Sequence, residues 1–121
     1  MSKKIVITGG LGYIGTELCK IYSGISWNNE ILVIDNRFIS ERVYQLRSWG
    51  IKFIHGDILD KELIKKHLSD VDVVHHLAGI TQVSRTSKES DIKEDIKINQ
   101  VAIEGTQNVI SSIPEFCKII V

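Results

Sequence analysis

The segment Thr8-Gly9-Gly10-Leu11-Gly12-Tyr13-Ile14-Gly15 carries the residues whose types and spacing point most directly to chemistry. It follows the apolar run Ile5-Val6-Ile7 and opens a stretch with Ile14, Leu18 and Ile21 at helical spacing. A strand, a glycine turn and a helix in that order bring bare backbone to one point. There the free N–H groups and the positive end of the helix dipole can hold a pyrophosphate. One glycine makes the sharp turn, one lets backbone approach the phosphates, and one lets the helix pack closely on the strand. Two spacings fit these glycines: Gly10, Gly12 and Gly15 as G-x-G-x-x-G, or Gly9, Gly12 and Gly15 as G-x-x-G-x-x-G. Asp35 supplies a carboxylate at the end of a second apolar run, Ile31-Leu32-Val33-Ile34, where a dinucleotide-binding unit places its ribose-binding acid. That acid accepts the ribose hydroxyls and repels a 2′-phosphate, which favours NAD over NADP. Arg37 argues the other way, because a nearby arginine can hold the phosphate. Asn36 is either a second ribose contact or a turn residue.

The elements that must position these groups alternate along the chain. Strands are predicted near residues 4–8, 31–35, 51–55, 71–77 and 117–121, and helices near 13–23, 40–48, 60–68 and 91–112. Most strand segments are continuous apolar runs, so both of their faces are covered, as in a parallel sheet between two helix layers. Right-handed crossovers and the glycine turn favour a Rossmann-type doubly wound sheet of order 3-2-1-4-5. Pro114 follows the last helix at a common stop position, and the polar stretch 84–95 reads as a loop.

The order of several motifs resembles the extended short-chain dehydrogenase/reductase family, and within it the NAD-dependent nucleotide-sugar epimerases and dehydratases. The residues that carry the resemblance are the glycine turn, Val33-Ile34-Asp35-Asn36, Gly56-Asp57-Ile58, His76-Leu77-Ala78-Gly79, and Asn99 followed by Gly105-Thr106-Gln107-Asn108-Val109. It runs from Lys4 to Val121. It implies that NAD is held by Gly9, Gly12, Tyr13, Ile14, Gly15, Asp35 and Asn36. Asp57 and the Ile58 backbone stand at the adenine, with a turn aspartate as the plainer reading of Asp57, and Leu77, Ala78 and Gly79 lie along the second ribose. The partner it implies is a nucleotide sugar, oxidised transiently by bound NAD, with Gln82, Val83 and Ser84 near that substrate. A ketone or aldehyde reductase of the same family and a non-catalytic dinucleotide-binding or redox-sensing module stay open beside it.

Asn99 has an argument of its own. Ile92, Ile96, Ile103, Thr106, Ile110 and Ile113 recur at steps of three and four, and Asn99 occupies the vacant position on that stripe. The stripe predicts that Asn99 faces the sheet, where an unpaired amide would cost about 1–3 kcal/mol and must have a fixed partner. The resemblance suggests that Asn99 braces the active-site strands or a solvent relay near the nicotinamide, and an amide that only satisfies strand backbone stays open beside it. Gly105 falls on the adjacent face with Ile98, Ala102 and Val109.

The family's base is a tyrosine in Tyr-x-x-x-Lys, and Tyr13, Tyr22 and Tyr44 are followed four residues later by Glu17, Ser26 and Ser48. No catalytic residue is therefore expected, and residues 1–121 read as the NAD-binding portion of a longer enzyme that stops in its fifth strand. Such an edge, Ile119-Ile120-Val121 with only Lys118 to protect it, predicts self-association.

Fifteen basic and fifteen acidic residues cancel, which argues against nucleic acid as a partner. No apolar run approaches the ~20 residues of a membrane helix. Cys19 and Cys117 read as buried free thiols of a cytoplasmic protein. His75 and His76 are strand neighbours that point to opposite faces, so they do not share a metal.

Overall fold

A computed structural model describes residues 3–25, 29–79, 96 and 98–120. Its elements are β1 (Lys4–Thr8), α1 (Tyr13–Ile25), β2 (Glu30–Asp35), α2 (Ser40–Ser48), β3 (Lys52–His55), α3 (Lys61–Leu68), β4 (Val73–His76), a π-helical turn (Val101–Gly105), α4 (Thr106–Ser112) and β5 (Lys118–Ile120). All five strands run parallel in the order β3-β2-β1-β4-β5, as expected for a doubly wound sheet. Residues 80–95 and 97 lie outside the described residues, and with them Gln82, Val83, Ser84, Ile92 and the expected 84–95 loop.

The continuous apolar runs are explained by burial from both sides. Ile5, Ile7, Ile31 and Val33 pack with Leu11, Cys19, Val43 and Leu46 on the α1–α2 side. Val6, Leu32, Ile34 and Val74 pack with Ile58, Ile64, Leu68 and Val109 on the α3–α4 side. Complete burial of each such side chain stabilises the fold by about 1.5–3 kcal/mol relative to exposure. Cys19 is buried in the first cluster, where desolvation pushes its thiol up to about 12. Cys117 is only half-buried and packs against the second cluster, across the sheet. Histidine neighbours on β4 diverge as the pleat requires: His75 meets Tyr22 of α1 and His76 meets Thr106 of α4.

The register aligns the carboxyl ends of the strands. Thr8 pairs with Ile34 and with His76, and Asp35 pairs with His55. The order reverses between β1 and β4, where an open α/β sheet leaves a crevice. Asp60 caps α3, its carboxylate accepting from Leu63 N at 3.2 Å, and so fixes the loop after β3.

The last helix departs from the expected phase. Among its described residues, Gly105 and Val109 are buried and Ile98, Val101 and Thr106 are half-buried, while Asn99 is exposed. Ile96, Ile103 and Ile110, assigned above to the inward stripe, are 64%, 58% and 56% exposed. Asn99 therefore does not face the sheet. The sheet-facing side is instead the neighbouring one that carries Ile98, Val101, Gly105 and Val109, and beyond the π-turn at Val101–Gly105 it still holds Val109 inward and leaves Ile110 outward. Ile98 and Gly105 are seven residues apart and Gly105 and Val109 four apart, so they share one helical face, and Asn99 falls beside it on the exposed side. Among the described residues, no helix is long and apolar enough to cross a membrane.

Candidate functional site

Gly9 sits at φ +74°, the left-handed region that favours glycine. A Cβ there would also stand 2.8 Å from the Ala78 backbone, so Gly9 is the glycine that lets the β1 turn lie against the segment after β4. This geometry matches the G-x-x-G-x-x-G spacing of Gly9, Gly12 and Gly15. Gly9 N donates to Ile34 O at 2.8 Å, and Gly12 N closes the turn on Gly9 O at 3.1 Å. A Cβ on Gly15 would meet Gly10 Cα and Gly9 O at 2.6 Å, so α1 can start here only if this position is bare. At Gly12 a Cβ would find only Gly9 O at 3.4 Å and Arg37 Nη2 at 3.5 Å, and it would project into open space.

That space is a pocket of about 580 Å³ at the carboxyl ends of β1, β2 and β4, within the size range of small-molecule sites. Twelve of the thirteen residues expected at the cofactor line it: Gly9, Gly12, Tyr13, Ile14, Gly15, Asp35, Asn36, Asp57, Ile58, Leu77, Ala78 and Gly79. Asn99 is not among them; from the last helix the lining residue is Val101. Gly56 of the Gly56-Asp57-Ile58 motif also lines the pocket, as do Arg42 and Leu59, which were not anticipated. Tyr13 and Ile14 begin α1, whose first-turn N–H groups have no partner within the helix. The pocket thus receives both the backbone donors and the positive end of the helix dipole.

The Asp35 carboxylate is almost wholly buried on the opposite wall. It accepts from Leu11 N at 3.0 Å, tying β2 to the glycine turn. It also accepts from Arg37 N at 2.9 Å, Arg37 Nε at 3.2 Å and Arg37 Nη2 at 3.1 Å. This pairing raises the Arg37 pKa above its ordinary value, so the guanidinium stays charged. Arg42 donates to Leu11 O from the other side of the turn. Asn36 is exposed, and its carbonyl contacts His55 Nε2 at 3.0 Å. Asp57 forms an Asx turn, Oδ1 accepting from Leu59 N at 2.9 Å, which is the turn role weighed for it.

A relay of three side chains supports the rim beneath Leu77, Ala78 and Gly79. Thr8 Oγ1 accepts from Ala78 N at 3.2 Å and lies 2.8 Å from His76 Nδ1. His76 Nε2 is 3.1 Å from Thr106 Oγ1. With the imidazole proton on Nε2, the Thr8 hydroxyl donates to Nδ1 and every group in the chain is used. Burial holds His76 below the usual histidine range, consistent with a neutral ring. The amide with a fixed partner is Asn108, whose Nδ2 donates to Ile58 O at 2.9 Å. It lies in the Gly105–Val109 motif, so the sequence named the segment without naming the role. Gly105 is buried against the same loop, where an added Cβ would come 2.8 Å from Ile58 Cγ1.

Sheet order, glycine turn and pocket define a Rossmann-type domain with its crevice at the point where the strand order reverses. The chain belongs to the 3-beta hydroxysteroid dehydrogenase/isomerase family, which it matches over residues 6–119, and through it to the extended short-chain dehydrogenases/reductases of the epimerase/dehydratase type. It is 33% identical to dTDP-D-glucose 4,6-dehydratase of Dictyostelium discoideum over 96% of this chain and 26% of that protein. It is 32% identical to CDP-paratose 2-epimerase of Salmonella typhi over 97% of this chain and 35% of that protein. Among solved structures, the Bordetella bronchiseptica enzyme WbmG in complex with NAD superposes with a TM-score of 0.68 at 27% identity. That match covers 93% of this chain and 34% of WbmG. The chain thus spans about a quarter to a third of the length of these proteins.

Proposed function

We propose that this chain binds NAD(H) as the cofactor-binding portion of an NAD-dependent nucleotide-sugar epimerase or dehydratase. The observation that carries the reading is the buried Asp35 carboxylate, tied by Leu11 N to the Gly9–Gly15 turn and sharing one pocket with it. The residues fit the cofactor's parts. Gly12 and the first-turn N–H groups of α1 take the pyrophosphate, and Asp35 takes the adenosine ribose with Asn36 beside it. Asp57 and Ile58 flank the adenine, and Leu77, Ala78 and Gly79 offer a low wall to the second ribose. Bound NAD⁺ supplies a hydride acceptor for a carbon of the sugar. This chain's own part is to hold and orient it, since none of Tyr13, Tyr22 and Tyr44 has a lysine four residues on.

In this reading residues 1–121 form one cofactor-binding domain of a cytoplasmic enzyme. In it no residue among 1–121 acts as the general base. The printed activities of the dehydratase and epimerase relatives support a nucleotide sugar as the substrate class. Self-association belongs to the same proposal, because β5 pairs only with β4 among the described residues and Ile120 is half exposed. The test is calorimetric titration of the 121-residue chain with NAD⁺ and NADP⁺. Tighter binding of NAD⁺ is the expected result, and equal or tighter NADP⁺ binding overturns the cofactor assignment.

A further inference from the structure

A carboxylate has about four acceptor positions, two on each oxygen. In this structure protein donors fill all four on Asp35. Oδ1 accepts from Arg37 N at 2.9 Å and Arg37 Nε at 3.2 Å, and Oδ2 accepts from Leu11 N at 3.0 Å and Arg37 Nη2 at 3.1 Å. Two of these donors are backbone groups that belong to the fold. The other two belong to one flexible side chain that is 52% exposed, while the carboxylate beneath it is 2% exposed. The same guanidinium lies across the pocket, because a Cβ on Gly12 would come 3.5 Å from its Nη2. A ribose diol needs two acceptor positions on Asp35, and the only two that can be vacated are those held by the guanidinium.

We infer that Arg37 is a latch on the ribose subsite, an internal occupant that closes Asp35 in the free protein and must swing outward before the adenosine ribose can bind. The inference rests on the reading of Asp35 as the ribose acceptor. Arg37 then sets cofactor affinity without donating to the cofactor in the closed state. The apparent dissociation constant equals the intrinsic one divided by the fraction of molecules with the latch open. A latch closed in about nine molecules of ten therefore weakens NAD⁺ binding roughly tenfold. The structure favours the closed form through its geometry: Nε and Nη2 engage different carboxylate oxygens as a fork, the strong mode for a guanidinium. A lysine cannot reproduce that fork, although it keeps the charge.

Calorimetric titration of the 121-residue chain with NAD⁺ and NADP⁺ tests the latch in four variants besides the parent: Arg37→Met, Arg37→Lys, Asp35→Asn and Arg37→Met combined with Asp35→Asn. The expected result is NAD⁺ binding tightened roughly tenfold by Arg37→Met and several-fold by Arg37→Lys, with no such gain for NADP⁺. Asp35→Asn weakens NAD⁺ binding, and Arg37→Met adds nothing in the Asp35→Asn background because there is no longer a carboxylate to release. Unchanged or weakened NAD⁺ binding in both Arg37 variants, with Asp35→Asn still weakening it, overturns the latch and leaves the ribose reading standing. So does an Arg37→Met variant that loses only NADP⁺ binding, which would make Arg37 a phosphate ligand. Full NAD⁺ affinity in Asp35→Asn, or no binding in any protein, removes the ribose reading and the latch with it.

Discussion

Replacing Gly12 by alanine separates what the glycine turn does for the ligand from what it does for the fold. In the free protein an added Cβ would meet Gly9 O at 3.4 Å and Arg37 Nη2 at 3.5 Å, ordinary contacts that require little movement. Gly12 is not in the left-handed region, which among the described residues holds only Gly9 and Gly50. The substitution should therefore leave stability within about 1 kcal/mol, with a slight gain expected from reduced freedom of the unfolded chain. The methyl group instead occupies the surface where a pyrophosphate must come within hydrogen-bond distance of backbone. Losing one charge-assisted hydrogen bond costs about 1.5–3 kcal/mol, which corresponds to roughly 10–150-fold in affinity. Gly9→Ala is the contrasting case. It forces a side chain into φ +74° and 2.8 Å from Ala78 backbone, so the left-handed penalty of about 1–2 kcal/mol is joined by about 1–3 kcal/mol of overpacking. Urea denaturation with titration calorimetry on both variants reads the two effects separately. A Gly12→Ala protein that binds NAD⁺ as tightly as the parent would refute the placement of the pyrophosphate on this turn.

Stability should fall in mild acid. Burial lowers the pKa of both His75 and His76 from 6.5, so the unfolded chain takes up their protons first as pH drops. The unfolding free energy should hold above about pH 6.5 and decline below it until the folded values are reached, by up to about 1.4 kcal/mol per pH unit for each histidine. Urea midpoints that stay level or rise from pH 7 to about pH 5 would contradict this sign. Thr8→Val should cost about 1–3 kcal/mol by urea denaturation, because it leaves Ala78 N and His76 Nδ1 without their partner. Light scattering after size-exclusion chromatography should show mass rising with concentration, and a strictly monomeric mass throughout would exclude pairing at β5.

The parts of the site that depend on backbone were legible in the sequence. Gly9, Gly12 and Gly15 are needed because of where the main chain goes. Asp35 is placed by the length of the strand–helix–strand unit, so spacing alone located the pocket's two opposite walls. The latch was legible only as a charge near Asp35. Its effect depends on a rotamer that folds Nε and Nη2 back over two residues, and composition carries no trace of that. The Thr8–His76–Thr106 relay joins residues 68 and 30 positions apart, so no local pattern could reveal it.

Asn99 shows where periodicity itself misleads. Two neighbouring stripes of the last helix fit a 3.6-residue repeat, and the one richer in isoleucine placed Asn99 inward, whereas the structure buries the other, with Ile98, Gly105 and Val109. What that buried side achieves can be read from Gly105 onward. Gly105 settles against Ile58, Thr106 meets His76, and Asn108 holds the Ile58 carbonyl, so three residues within one turn contact both the β3 and β4 rims of the pocket. Turning the isoleucine stripe inward would rotate Gly105 and Asn108 away from Ile58. The contacts that fix the rims, and not the number of isoleucines on a side, therefore decide which face of this helix is buried.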